Sequence, residues 1–433
     1  MKWWWMIGAA AVLGFAAAAR AATFVVDTTT DGADVAAGDG VCASANGKCT
    51  LRAAVQEANS LSGADVIMLS VGVYALTSDG LDIADDLTIT GVGADRTIVR
   101  GNRRTRVATI ATAVRVTMAG VRIEGGSAAA GGGVLNNGTL QLDNVIVAGN
   151  RATNDAGSGG GVYNNGTLLA SNVVFTRNRA MGLGGGFGGA IFNNGSARLT
   201  AVTFSANRTN GCGGGLFNAT GDVELVDVTL RSNRASNSGG GLFAQDGMTK
   251  LTNVTISGNR ANKIGGGVFT YSPIELTNVT ISGNRAVDGG GLLCSYATAA
   301  LMNVTISSNR AIHGGGILNS TATLRLTNTI VAGNSPQNCA GNAVASAGHN
   351  LDSGTSCSFS AVGDLSSVNP MLGPLQDSGG PTSTVALLPG SPAIDAGTDI
   401  DAPVTDQRGA PRPADGNGDQ VVAFDIGAFE VQP

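Results

Sequence analysis

The sequence predicts an all-β protein, a right-handed parallel β-helix solenoid with one N-terminal capping helix, and three observations carry that prediction. The first is repetition. Asn-Val-Thr-Ile-Ser-Gly-Asn-Arg-Ala stands at 253–261 and again at 278–286, and looser copies surround both. They place an Asn at Asn150, Asn178, Asn207, Asn233, Asn259, Asn284, Asn309 and Asn334, in steps of 28, 29, 26, 26, 25, 25 and 25 residues. The second is the pattern within a unit. In 265–289, Val268-Phe269, Ile274-Glu275-Leu276 and Val279-Thr280-Ile281 are short runs separated by Gly, Asn, Ser and Pro, which gives three strands and no window for a stable helix. The third is a Gly-Gly-Gly or Gly-Gly-Ala cluster at a constant offset before each copy, suited to corners that need left-handed backbone. Propeller blades run to roughly 40 residues and leucine-rich horseshoes need a Leu-x-x-Leu-x-Leu frame, and neither fits. Eight coils at about 4.8 Å per step would extend roughly 38 Å. Val, Ile and Leu stack inside them, and stacked Asn side chains can hydrogen-bond along the axis.

Composition agrees. The chain is 43% hydrophobic but only 4% aromatic, which suits small stacked layers better than a conventional layered core, and it is too apolar for disorder. Residues 1–21 read as a signal peptide: Lys2, an apolar run over 3–19, then Ala19-Arg20-Ala21 as a small-x-small cleavage site. No later segment is apolar enough for a membrane span, so a secreted or cell-surface monomer is expected after signal removal. Cys42 with Cys49 and Cys339 with Cys357 can each close a local disulfide. Cys212 and Cys294 fall about three coils apart, roughly 14 Å by strand spacing and beyond disulfide reach, so both are expected reduced.

One helix is predicted, over 51–59. Leu51, Ala54, Val55 and Ala58 fall at i, i+3, i+4 and i+7, with Thr50 as N-cap and Asn59 to end it. It should cover the open end of the solenoid, where an uncapped coil would expose a strand edge. Its Cys49-Thr50-Leu51-Arg52-Ala53-Ala54 resembles the CSLREA domain found at the start of many secreted bacterial repeat proteins, with Ala53 in place of the family Glu. Gly188-Gly189-Ala190-Ile191, Phe175-Thr176-Arg177-Asn178 and Phe204-Ser205-Ala206-Asn207 resemble the repeats of chlamydial-type polymorphic outer membrane proteins. Toward the C-terminus, Gly390-Ser391-Pro392-Ala393-Ile394-Asp395-Ala396-Gly397, Asp406-Gln407-Arg408-Gly409 and Asp425-Ile426-Gly427-Ala428-Phe429-Glu430 resemble the choice-of-anchor Q domain, a family named for its sorting signals. The resulting organisation is signal peptide 1–21, CSLREA-like cap 22–63, β-helix repeats 64–335 and choice-of-anchor Q-like domain 336–433.

Charge carries the functional reading. The net charge is −5, yet Lys and Arg outnumber Asp and Glu by 13 to 8 in 131–335 and are outnumbered 2 to 11 in 336–433. Seven of the thirteen follow the register Asn: Arg151, Arg179, Arg208, Arg234, Arg260, Arg285 and Arg310. Stacking puts them in one column, where like charges about 5 Å apart repel. Such a column either fans into solvent with its stems over the corner glycines or lies against an anionic polysaccharide whose carboxylates or sulfates meet the guanidinium forks. Nucleic acid is not expected of an exported chain with net negative charge and no aromatic interleaving.

An enzyme is the alternative, because parallel β-helices of the pectin lyase type include pectate lyases and polygalacturonases. Such lyases need clustered carboxylates for Ca²⁺ with a basic residue, and hydrolases need two closely placed carboxylates. Acids are scattered through the coils, and Asp85 and Asp86 on a strand would face opposite ways. The local catalytic candidates are Asp288 and His313, each immediately before its Gly-Gly-Gly and so expected on neighbouring coils. Asp415, Asn417 and Asp419 offer oxygen ligands at alternating positions, as calcium loops do, although no cofactor is required. The expected role is a non-catalytic extracellular or cell-surface protein of adhesion or glycan binding. A polysaccharide lyase or glycoside hydrolase on acidic polysaccharide and a structural surface spacer are the alternatives.

Overall fold

Alternating apolar residues joined by left-handed corners wind the chain into a parallel β-helix. The computed structural model describes residues 21–154 and 157–433; the signal reading of 1–21 falls, but for Ala21, outside them. One coil shows the logic. Leu242–Ala244, Thr249–Ser257 and Arg260–Ala261 are its strands, and each pairs in parallel with its counterpart 25 or 26 residues on: Leu242 on Val268, Leu251 on Leu276, Val254 on Val279, Ile256 on Ile281 and Arg260 on Arg285. All eight of the apolar side chains are buried. The bend inside Thr249–Ser257 falls at Asn253, φ 56°, and the same corner recurs at Asn278, Asn303 and Asn328. Asn tolerates that left-handed backbone and so keeps the corner without glycine.

One sheet contains eleven parallel strands, from Leu81–Ile83 to Cys339–Gly341. The solenoid therefore has eleven coils where the register Asn counts eight, and by the same strand spacing it extends roughly 53 Å. One of the extra coils escapes the motif because its register position is not Asn. One coil before Asn150 it is Gly126, whose N–H donates to Asn150 Oδ1 at 2.8 Å. Parallel pairing also continues outside 64–335, with Thr23–Val26 on Asp65–Leu69 at one end and Leu351–Asp352 on Leu365–Ser366 at the other.

Both ends are closed. The helix Leu51–Ser60 runs one residue past Asn59, and Thr50 caps it by accepting from Ala53 N–H. Leu51, Ala54, Val55 and Ala58 join the core formed by Phe24 and Ile67, so the apolar face covers the first coil as its spacing predicts. Arg52 fixes the cap by pairing with Asp31 at 2.8 Å and donating to the carbonyls of Asp79 and Gly80. Cys42–Cys49 staples the loop before the helix, while Cys339–Cys357 joins the core at the far end beside Phe359.

The interior is held along the axis by the register asparagines. Asn150, Asn178, Asn207, Asn233, Asn259, Asn284, Asn309 and Asn334 are all buried, and each Nδ2 donates to the Oδ1 of the next at 3.0 or 3.1 Å. Each backbone N–H donates to the same oxygen, and each Nδ2 also reaches a carbonyl one coil back, as Asn259 does to Leu230. The file ends at Asn338 and Asp352, whose carboxylate also accepts from Gly354 and Cys357. A second buried file, Asn136, Asn164, Asn193 and Asn218, crosses another corner with bonds of 2.6 to 2.8 Å.

Residues 371–433 do not continue the stack. They fold back onto its side over an outward column, Thr255, Thr280 and Thr305, which is buried beneath them. Gln407 receives a hydrogen bond from Thr280 and donates to Thr255, while Ala428 N–H donates to Thr305. At Gly427, φ 104°, any Cβ would lie 2.8 Å from both Thr305 Oγ1 and Ile330 Cδ1, so only glycine permits this approach. Asp425, Glu430, Asp406, Arg408 and Arg412 form the network behind the contact. Arg412 reaches the carbonyls of Asp425 and Gly427, and Arg408 lies 3.6 Å over the Phe429 ring.

Removing one rung from the file should therefore cost more than removing a surface charge. Asn233→Ala orphans the Asn207 N–H and amide, a loss on the order of 3 kcal/mol in urea unfolding, whereas neighbouring Arg234→Ala should stay within about 0.5 kcal/mol. Equal effects from the two substitutions would refute the axial account.

The lateral contact should be pH dependent. Burial pushes the Asp425 carboxyl up to about 6 and that of Glu430 up to about 7. Their folded values exceed the unfolded ones near 4, so the stability they contribute is full below about pH 4 and is lost as pH rises through 6 to 7. Asp31 lies outside that window: although its burial opposes ionisation, Arg52 and Thr77 hold it below the usual range. The melting temperature should fall from pH 5 to pH 8, and Glu430→Gln should flatten the slope. An unchanged slope in that variant would remove Glu430 as the cause.

Candidate functional site: an arginine stripe

The parallel register places the seven predicted arginines in one file. Arg151 pairs with Arg179, Arg179 with Arg208, Arg208 with Arg234 and Arg234 with Arg260; single bridges continue the file to Arg285 and Arg310. Each Arg points outward; the residues that follow the first six, Ala152, Ala180, Thr209, Ala235, Ala261 and Ala286, are buried, and Ala311 after Arg310 is half-buried. The glycine clusters make this corner tight. A Cβ on Gly240 would sit 2.6 Å from the Arg260 carbonyl carbon, and Gly214 and Gly266 stand in the same relation to Arg234 and Arg285. Backbone lies directly on backbone there, so the arginine side chains can extend only away from the coils.

Elsewhere on the solenoid, stacked charges alternate in sign. Arg198, Glu224, Lys250 and Glu275 are successive partners on one face, with ion pairs of 3.1 Å from Arg198 to Glu224 and from Lys250 to Glu275. The stripe does the opposite. Among the described residues none of its seven guanidinium groups forms an ion pair or a side-chain hydrogen bond, and all seven residues are exposed. Guanidinium heads held at strand spacing would repel by ~0.8 kcal/mol per adjacent pair in water. Solvent, splayed side chains or an external anion must absorb that repulsion.

The other sequence candidates are placed as follows. Asp288 and His313 stack on neighbouring coils, with Asp288 Oδ1 and His313 Nδ1 2.6 Å apart on an exposed rim. Asp85 and Asp86 lie in a turn instead of on a strand, and Asp86 accepts from Arg115 N–H. Asp415 and Asp419 come together, and the fold adds Asp395, about 20 residues earlier, which alternation within the loop did not reveal. One oxygen from each of these three lies within 4.8 Å of the others, and Asp395 Oδ2 is buried without a hydrogen-bond partner. This is the donor set that could hold a hard cation. Asn417 is engaged locally, donating to Asp419 and accepting from its N–H. Cys212 and Cys294 are free and buried; burial raises both thiols, Cys294 to about 12, so neither is a nucleophile.

No family model matches the chain, and no curated protein matches it. A solved structure described as pectate lyase Pel9A matches 94% of this chain and 96% of its own at 16% identity, with a TM-score of 0.42. No helix of the described residues is long and apolar enough to cross a membrane.

Proposed function

We propose that the protein is a non-catalytic extracellular or cell-surface binder of anionic polysaccharide, and that the stripe from Arg151 to Arg310 is its contact surface. The observation that carries this reading is the contrast in charge ordering: the same coils alternate Arg198, Glu224, Lys250 and Glu275, but repeat Arg seven times at one corner with no carboxylate paired to it among the described residues. A linear polyanion supplies the missing charge at successive positions along one axis. The planar fork of Arg meets carboxylate or sulfate with two hydrogen bonds, which Lys cannot do. Two disulfides support an oxidising compartment, as do the likenesses of the end segments to CSLREA and choice-of-anchor Q domains of exported proteins.

Retention on heparin, alginate and pectate resins tests the proposal. The protein should bind at low salt and elute as salt screens the contacts. Arg234→Ala, Arg260→Ala and Arg285→Ala combined should weaken binding about tenfold, at ~0.5 kcal/mol per exposed contact, with the melting temperature unchanged. Salt-independent passage through all three resins would eliminate the reading. An unsaturated, ultraviolet-absorbing product or new reducing ends from the same polymers would replace it with a lyase or a hydrolase.

A further inference from the structure

The face whose column Thr255, Thr280 and Thr305 lies beneath residues 371–433 is open nearer the N-terminus. Outward positions there carry different chemistry. Arg122 is one coil before Ile146, and Arg100 stacks on Glu124, which stacks on Ala148 and then Thr176. The corner residues that follow are Gly125, Gly149 and Arg177, all left-handed, with φ of 60°, 62° and 54°. That backbone does not itself demand glycine, since Arg177, Ala206, Ser232 and Ser308 adopt it on their coils. What glycine supplies at Gly149 is room: a Cβ there would meet nothing within 4 Å.

The result is an open groove of about 540 Å³ whose wall includes Arg100, Arg103, Arg122, Arg177 and Glu124. The four cations are not equivalent. Glu124 accepts from Arg100 at 2.7 Å, and Arg122 pairs with Asp95 at 3.1 Å. Arg103 and Arg177 have no ion pair or side-chain hydrogen bond among the described residues. Both also have positive φ, 59° and 54°. Four guanidinium groups thus face one lining carboxylate, and the two uncommitted ones border a notch from which side chains are missing.

We propose that this notch is a second anion site, which takes a single sulfate or carboxylate substituent of a sugar between Arg103 and Arg177. Arg177 stands two residues before Arg179 of the stripe, across buried Asn178, so a polymer on the stripe can turn one substituent into the notch. The inference relies on the polyanion reading only for the identity of the ligand as a sugar acid; the anion recognition belongs to the notch. Sulfate presents three oxygens and carboxylate two, and both suit a pair of forks approaching from opposite sides.

Short ligands separate the notch from the stripe. Binding of a heparin-derived disulfated disaccharide and of trigalacturonate is measured by thermophoresis on the full chain, and the arm that binds identifies sulfate or carboxylate. Arg103→Ala with Arg177→Ala should weaken the binding arm at least tenfold. Gly149→Asp, which places a carboxylate in free space at a backbone Asp tolerates, should do the same with an unchanged melting temperature. The triple stripe variant at Arg234, Arg260 and Arg285 should leave short-ligand binding intact while losing polymer retention. No short-ligand binding in the parent protein, unaltered binding in both notch variants, or equal loss in the stripe variant each overturns the notch. Loss of polymer retention alone bears on the stripe.

Discussion

The buried Asn file is the constraint on which the molecule depends. A primary amide inside an apolar column must satisfy two donor hydrogens and a carbonyl, and an unmet group there costs about 1–3 kcal/mol. The partner that can do so repeatedly is the same residue one coil away. Asn259 illustrates the closure: its Nδ2 bonds Asn284 Oδ1 and Leu230 O, and its own Oδ1 accepts from Asn233 twice, through backbone and side chain. A slip of one residue in any strand would break these bonds and turn Val254 and Ile256 outward. Register is thus set jointly by the amides and the apolar alternation, and the surface columns follow from it.

That dependence explains what could be read from the chain. The period of the register Asn gave the fold, and the residue after it gave the arginine column, because both are local patterns that stacking converts into geometry. Thr50 and the spacing of Leu51, Ala54, Val55 and Ala58 gave the helix for the same reason. The second Asn file was equally present, in Leu135-Asn136-Asn137-Gly138, Tyr163-Asn164-Asn165-Gly166 and Phe192-Asn193-Asn194-Gly195, but was obscured by the first. The coil before Asn150 was hidden because Gly126 replaces the marker while the strands persist. The contact of Gln407 with Thr280 spans 127 residues and leaves no periodic trace. Asp395 reaches Asp415 and Asp419 through the tertiary fold of the C-terminal segment, which no spacing rule encodes.

The C-terminal contact gives a physical reason for the regularity with which the repeats began. Asn-Val-Thr-Ile-Ser is identical at 253–257, 278–282 and 303–307, the stretch where Thr255, Thr280 and Thr305 lie under residues 371–433. Exposed coils place Val174, Thr203 or Thr229 in the column of Thr255 and Thr176, Ser205 or Arg231 in the column of Ser257, but a buried docking surface needs small hydroxyls that can donate and accept at both. Asp406-Gln407-Arg408-Gly409 and Asp425-Ile426-Gly427-Ala428-Phe429-Glu430 form the complementary half. Their charges are spent on one another and on backbone groups, so these motifs build a joint.

A solenoid stabilised from inside has freedom outside. Since the register is held by amides and apolar side chains, a surface column need not contribute to stability and can carry a pattern unfavourable on its own. The alternation from Arg198 to Glu275 shows the arrangement that lowers electrostatic energy within the molecule, and it occupies the same coils. The unbroken repetition of Arg at the neighbouring corner forgoes that gain across seven coils. Self-repulsion of this kind is relieved most completely by a partner with negative charge repeated at a pitch comparable to the strand spacing of about 4.8 Å. On the proposed reading, the stripe is half of an electrostatic contact whose other half lies outside the protein.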